Sequence, residues 1–142
     1  MVKPSCCRLV ILISGNGANL QAIVDACVSN TIQAAVVGAI SNEPNAYGLV
    51  RAQKEGIPTY IIDHRKFNSR REFDVELEKQ IDALDPDLII LAGFMRILGS
   101  EIIEHYLGRM LNIHPSLLPK YPGLDTHARA LRDGARVHGA TV

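Results

Sequence analysis

Net charge is the first thing this sequence lacks: 15 lysines and arginines balance 15 aspartates and glutamates across 142 residues. With no global field to gather a polyanion, nucleic acid is excluded as the natural partner, while a local basic site for a small phosphate or carboxylate stays open. No apolar run approaches the roughly 18–20 residues that a membrane span needs, so a membrane protein is excluded too. A composition of 47% hydrophobic and 21% charged residues rules out a disordered chain. Cysteine is scarce. Cys6, Cys7 and Cys27 are odd in number and lack C-x-x-C spacing, which fits free thiols in a reducing compartment rather than a disulfide framework or a zinc site. Behind Lys3 and Arg8, the apolar run over residues 9–13 is too short for a signal-peptide core and leads straight into a glycine turn. A cytoplasmic location is expected. No linker, internal repeat or low-complexity stretch divides the chain, so residues 1–142 are expected to form one domain, able to bury about two thirds of its unfolded surface.

What is present is alternation. RLVILIS, residues 8–14, is a continuous aliphatic run ahead of a glycine turn, the pattern of a strand buried on both faces of a parallel sheet. GNGANLQAIVDACVSN follows, with Asn19 placed to cap a helix whose Leu20, Ile23, Val24, Cys27 and Val28 share a face. Residues 33–41 read as a second buried strand, and Pro44 or Asn45 opens a second helix ending near Gly56. The unit repeats as strand 59–63, helix 69–84 and strand 87–92, then a short helix over 100–107 and a strand over 110–113. This order predicts an α/β fold, a doubly wound, mostly parallel Rossmann-like sheet. In such sheets ligands lie at the carboxyl ends of the strands. The loops of interest are therefore 15–19, 41–45, 63–70, 93–98 and 114–124.

The last of these loops begins NIHPSLLPKYPGL, residues 112–124. On an extended segment, Asn112 and His114 leave the same face, roughly 6–7 Å apart at Cα. An amide N–H can stabilise a carbonyl oxygen gaining charge, and an imidazole can move a proton, which together are the needs of acyl transfer. Pro115, Pro119 and Pro122 exclude helix for the residues before them and stiffen the loop. SGNGAN, residues 14–19, reads either as a tight βα turn or as an anion cradle at a helix N-terminus. A dinucleotide fingerprint would need glycine where Leu20 stands, so the cradle suits a monophosphate. In GFMRIL, residues 93–98, Phe94, Ile97 and Leu98 either continue the core around a solvated Arg96 or form an apolar slot for a flat heterocycle. His64 and His105 carry no partner signal and read as surface residues. His127 and His138 lie nearer the candidate site but have no metal-ligand spacing, and no metal is predicted.

The thirteen-residue string from Asn112 closely resembles the signature of the folate-dependent glycinamide ribonucleotide formyltransferases, within a wider superfamily that shares the Asn-x-His pair. The likeness covers nearly the whole chain. It implies transfer of a formyl group from 10-formyltetrahydrofolate to the amine of glycinamide ribonucleotide, with Asn112 and His114 as catalytic residues. It further implies that Gly15, Asn16, Gly17, Ala18 and Asn19 hold the substrate phosphate. Arg70, Met95, Arg96, Ile97, Leu98 and Asn112 would serve the folate, a guanidinium at Arg70 suiting its carboxylates. The partners implied are these two small molecules, with the protein a monomer or dimer. Asp125 departs from the family pattern, in which many relatives have His at that place. In the family, a catalytic Asp and further strands follow the HGATV at residues 138–142, so the chain is expected to be the N-terminal two thirds of such a domain, incomplete at its C-terminus and poorly active alone. A formyltetrahydrofolate hydrolase and a silent phosphate-binding module are the alternatives; zero net charge speaks against an aminoacyl-tRNA formyltransferase.

Overall fold

Aliphatic residues with nothing to expose build the centre of the molecule. The structure is a computed structural model that describes residues 6–142, so Lys3 lies outside the described residues. The chain runs β1 (Cys7–Ile13), α1 (Ala18–Val28), β2 (Ala34–Ser41), α2 (Tyr47–Lys54), β3 (Thr59–Ile61), a 3-10 turn (His64–Lys66), α3 (Arg70–Leu84), β4 (Leu88–Ala92), α4 (Ser100–His105), β5 (Met110–Ile113) and α5 (Thr126–Arg132). It groups into two compact units, one ending at Leu111 and the other spanning Asn112–Val142.

The sheet has five strands in the order β3-β2-β1-β4-β5. β1 pairs in parallel with both β2 and β4, and β2 with β3. From β1 the chain winds outward through β2 and β3, then restarts on the other side at β4, which makes the carboxyl ends of β1 and β4 the topological switch point. The fold is α/β and doubly wound, as the alternation predicts.

Burial on both faces explains why β1 and β4 read as unbroken apolar runs. Val10 and Leu12, with Ile89 and Leu91 of β4, join Phe73, Leu77 and Ile81 of α3, Ile102 of α4 and Tyr106 just after it in one core cluster. Leu9, Ile11, Ile13 and Ile90 are equally buried and alternate with them, and Ile13 packs on the α2 side, next to Gly48. Each fully buried Leu or Ile contributes about 1.5–3 kcal/mol relative to exposure, so the central strands anchor everything attached to their ends.

The helices are set by local chemistry. Ser69 caps α3 by accepting the Glu72 N–H at 3.2 Å, while Glu72 reaches back to the Asn68 N–H at 3.1 Å, a capping pattern worth about 1 kcal/mol. Helix α3 ends at Asp85, whose left-handed φ of 47° precedes Pro86. Three expected boundaries shift. Helix α2 starts at Tyr47 because Pro44 and Asn45 form a turn. Strand β3 stops at Ile61, since Asp63 instead accepts the Arg65 N–H and caps the 3-10 turn. Helix α4 ends at His105 rather than at Leu107.

The second unit has little apolar interior; its buried residues are Ser116, Thr126 and Ala130. Polar bonds hold it instead. Thr126 Oγ1 donates to the Pro115 carbonyl at 2.7 Å and Ser116 Oγ to the Lys120 carbonyl at 2.6 Å. Thr141 Oγ1 donates to the Ser116 carbonyl at 2.7 Å and accepts the Leu118 N–H at 3.0 Å. The HGATV segment forms an antiparallel bridge between Thr141 and His114, with bonds of 2.8 and 2.9 Å.

Candidate active site

Two of the anticipated loops meet at the switch point. Ser14, directly after β1, donates its N–H to the Gly93 carbonyl at 3.2 Å, and its hydroxyl accepts the Met95 N–H at 2.7 Å. The glycine loop 15–19 and the 93–98 loop are therefore stitched together at their bases. Helix α2 holds the glycine loop from outside: the Gly48 N–H donates to the Gly15 carbonyl at 2.9 Å, and Arg51 grips the Asn16 carbonyl and Oδ1, both at 2.9 Å.

Gly17 is the pivot. Its φ is +77°, and a Cβ built there would stand 2.5 Å from Gly48 Cα. Only glycine fits. This corrects the expectation that Asn19 caps α1: Gly17 is the cap, its carbonyl accepting the Gln21 N–H at 2.9 Å, and Asn19 lies inside the first turn, exposed beside Ala18. The left-handed turn leaves the N–H groups of Ala18, Asn19 and Leu20 ahead of the first intrahelical bond, where orphan donors and the helix dipole favour an anion.

The 93–98 loop divides its side chains. Leu98 is 8% exposed and Phe94 packs against the core, whereas Met95 and Ile97 are 65% and 77% exposed. The core reading of the loop holds for Phe94 and Leu98 but fails for Ile97, which stands exposed with Met95. Arg96 is not solvated as that core reading had it. It is half-buried, with its guanidinium 5.8 Å from the Phe73 ring centre and its Nε without a hydrogen-bond partner among the described residues. The far end of the loop is clamped by Asp74, whose Oδ2 accepts the Gly99 N–H at 2.8 Å. Arg70 is exposed at the rim of a cavity of about 370 Å³ between α3 and α4, which Asp74, Glu78 and Glu101 also line. Its neighbour Arg71 is committed to Glu101 at 3.3 Å.

The second unit carries Asn112 and His114. Asn112 is exposed on β5, and His114 follows on the same extended segment. His114 Nε2 lies 3.0 Å from the Tyr121 carbonyl. A carbonyl only accepts, so Nε2 carries a proton and Nδ1 is the atom left for chemistry. The loop that supplies the carbonyl is non-helical, as its prolines predict, with left-handed φ at Tyr121, Gly123 and Asp125. Asp125 opens α5 from that conformation and makes no side-chain cap. Arg129 closes the loop by donating to the Pro122 and Leu124 carbonyls. Desolvation pushes the Tyr121 hydroxyl above its ordinary pKa, with Asp133 adding to the effect.

The profile of the family described as "Formyl transferase" matches residues 7–142. This chain belongs to the formyl transferase family. It is 54% identical over 135 residues to the phosphoribosylglycinamide formyltransferase of Escherichia coli, covering 95% of this chain and 64% of that protein. The phosphoribosylglycinamide formyltransferase structure from Coxiella burnetii superposes with a TM-score of 0.90 at 55% identity, over 94% of this chain and 63% of that one. Glycinamide ribonucleotide transformylase 1 from Symbiobacterium toebii gives 0.93 at 41% identity, over 98% and 66%. The chain therefore spans a little under two thirds of the length of these relatives.

Within this family member, sequence reasoning missed Arg51, Asn42 and the partners of two histidines. His64 Nδ1 lies 3.1 Å from Asn42 Nδ2 and His64 is only partly exposed, while His105 is exposed as expected but has Asp82 3.3 Å from its Nε2. These contacts join residues distant in sequence, where no spacing rule reaches. His127 Nδ1 and His138 Nε2 are 2.8 Å apart, and Glu78, Asp82 and His105 can bring three ligand atoms within 4.8 Å of one another. Asp82 is already engaged by the Tyr106 hydroxyl at 2.6 Å; burial, and then this bond, pushes the Tyr106 pKa strongly upward. No helix among the described residues is long and apolar enough to cross a membrane.

Proposed function

We propose that this chain carries the reacting groups and the phosphate cradle for formyl transfer from 10-formyltetrahydrofolate to the amine of glycinamide ribonucleotide. The observation that carries the reading is the commitment of His114 Nε2–H to the Tyr121 carbonyl, two residues along the same extended segment from the exposed Asn112. In this reading the substrate amine attacks the formyl carbon. The carbonyl oxygen gains charge and takes a hydrogen bond from Asn112 Nδ2. His114 Nδ1 accepts the proton that the amine loses and returns it to the folate nitrogen as the old carbon–nitrogen bond breaks. A positioned oxyanion donor is worth about 10²–10³ in rate, and proton transfer about 10²–10⁴.

The glycine-loop amides of residues 17–19 would hold the nucleotide phosphate. A branched side chain is barred there both by that use and by the Gly48 contact. Exposed Met95 and Ile97, the backbone of residues 95–98 and the guanidinium of Arg70 are offered to the folate, the first two as an apolar surface for a flat ring and the last as a partner for its carboxylates. Three free thiols fit a cytoplasmic location. Incubating the protein with both substrates and analysing products by mass spectrometry tests the reading. Formylated nucleotide is expected, at the low turnover anticipated for the chain alone; formate alone would mean a hydrolase, and no product even in single-turnover amounts a binding module, and either would overturn it.

A further inference from the structure

The two loops at the switch point share a side-chain network. The Met95 N–H can only donate, and it does so to Ser14 Oγ at 2.7 Å. The single hydroxyl proton of Ser14 is therefore free to point elsewhere, and it goes to Asn42 Oδ1. With its oxygen on Ser14, the Asn42 amide must present Nδ2 to His64, 3.1 Å from Nδ1. His64 Nδ1 then accepts, and the ring proton sits on Nε2. Asn42 is 2% exposed, so water does not replace these bonds, and a flipped amide would turn Oδ1 toward His64 and need the ring proton on Nδ1 instead. The other groups facing the imidazole are the Asn42 carbonyl at 3.3 Å and Glu43 at 3.8 Å, with Glu43 itself paired to Arg65 at 3.1 Å.

We propose that Ser14, Asn42 and His64 are positioning residues: a one-way relay that ties the stem of the glycine loop to the Met95 amide and makes the shape of the 93–98 loop depend on the His64 tautomer. The relay is a property of the unliganded protein. That it serves the folate side rests on the proposed function.

Two readouts separate these layers. In the unliganded protein, nitrogen-15 NMR should find His64 with its proton on Nε2. The Met95 amide should exchange with solvent at least about 10-fold faster in His64→Leu, with the Ile11 amide unchanged, because one broken bond releases the chain up to Ser14. His64→Gln, which still offers an acceptor to Asn42 Nδ2, should restore protection. In the second readout, His64→Leu should weaken 10-formyltetrahydrofolate binding about 5–10-fold, the effect of one lost hydrogen bond, and alter inorganic phosphate binding by less than about 2-fold. His64→Gln should recover most of the folate affinity. The opposite tautomer, unchanged Met95 exchange, or equal losses in the Leu and Gln variants would overturn the relay. A relay that behaves as expected in a wild-type protein that binds no folate would support the relay and overturn the proposed function.

Discussion

Replacing Gly17 with alanine perturbs the glycine loop in two separable ways. The first is conformational: at φ +77° an L-residue meets its own carbonyl, at a cost of about 1–2 kcal/mol. The second is steric: the new Cβ would stand 2.5 Å from Gly48 Cα, backbone against backbone, and neither the loop nor α2 can move aside without disturbing the other. Overpacking of this kind costs about 1–3 kcal/mol, so the sum is about 2–5 kcal/mol, a sizeable share of the 5–15 kcal/mol typical of a folded domain. For a chain of this size, that lowers the melting temperature by at least about 5 °C. Two other glycines serve as controls. Gly56 has φ +72° with nothing within 4 Å of a new Cβ, so Gly56→Ala incurs only the conformational term. Gly15 has neither a left-handed φ nor a neighbour within 4 Å, and Gly15→Ala should stay within about 0.5 kcal/mol of the parent. Urea and thermal unfolding of the three variants should rank Gly17 well below Gly56, and Gly56 below Gly15. Equal losses at Gly17 and Gly56 would show that the approach to Gly48 contributes nothing, and would refute the steric half of the argument.

Three further outcomes are expected. Tyr106→Phe removes a buried hydroxyl bonded to Asp82 at 2.6 Å and to the Glu78 carbonyl at 3.1 Å; since Asp82 is half exposed and can turn to water, chemical denaturation should report a loss of only about 1–2 kcal/mol. Arg51→Met breaks both bonds to Asn16 and should weaken inorganic phosphate binding about 3–10-fold by calorimetry, while secondary structure is retained. Asp63 is held below the ordinary carboxylate range, chiefly by the hydrogen bond from Arg65. A depressed carboxylate stabilises the fold above its unfolded pKa of about 4 and loses that contribution as pH falls through the lower folded value, so melting curves of Asp63→Asn should depend less on pH below 4 than those of the parent.

How much of this was legible in the sequence depended on whether the cause was local. β1, β4 and α3 were readable because burial on both faces leaves an unbroken apolar run and Ser69 caps through its own neighbours. The start of α1 was not, since Gly48 on another helix decides that Gly17 turns left-handed there. Helix α5 gave no apolar stripe, with only Thr126 and Ala130 buried, and Arg129 fastens it to the carbonyls of the preceding loop. In the 93–98 hexamer, sequence could not sort Phe94 and Leu98, which face inward, from Met95 and Ile97, which do not. The Asn112-x-His114 spacing and the proline-stiffened loop were visible, but the Tyr121 carbonyl that settles the His114 tautomer was not, because it depends on how that loop turns back.

The account assigns binding to residues 17–19 and chemistry to Asn112 and His114, and single-turnover formyl transfer at saturating substrates separates the two. In His114→Ala and in Asn112→Ala the rate should fall at least about 10²-fold, while the dissociation constant for glycinamide ribonucleotide moves less than about 3-fold, because the roles proposed for both groups are in the transition state. A rate near that of the parent in either variant would remove that residue from the reaction, and a near-parental rate in both would contradict the account.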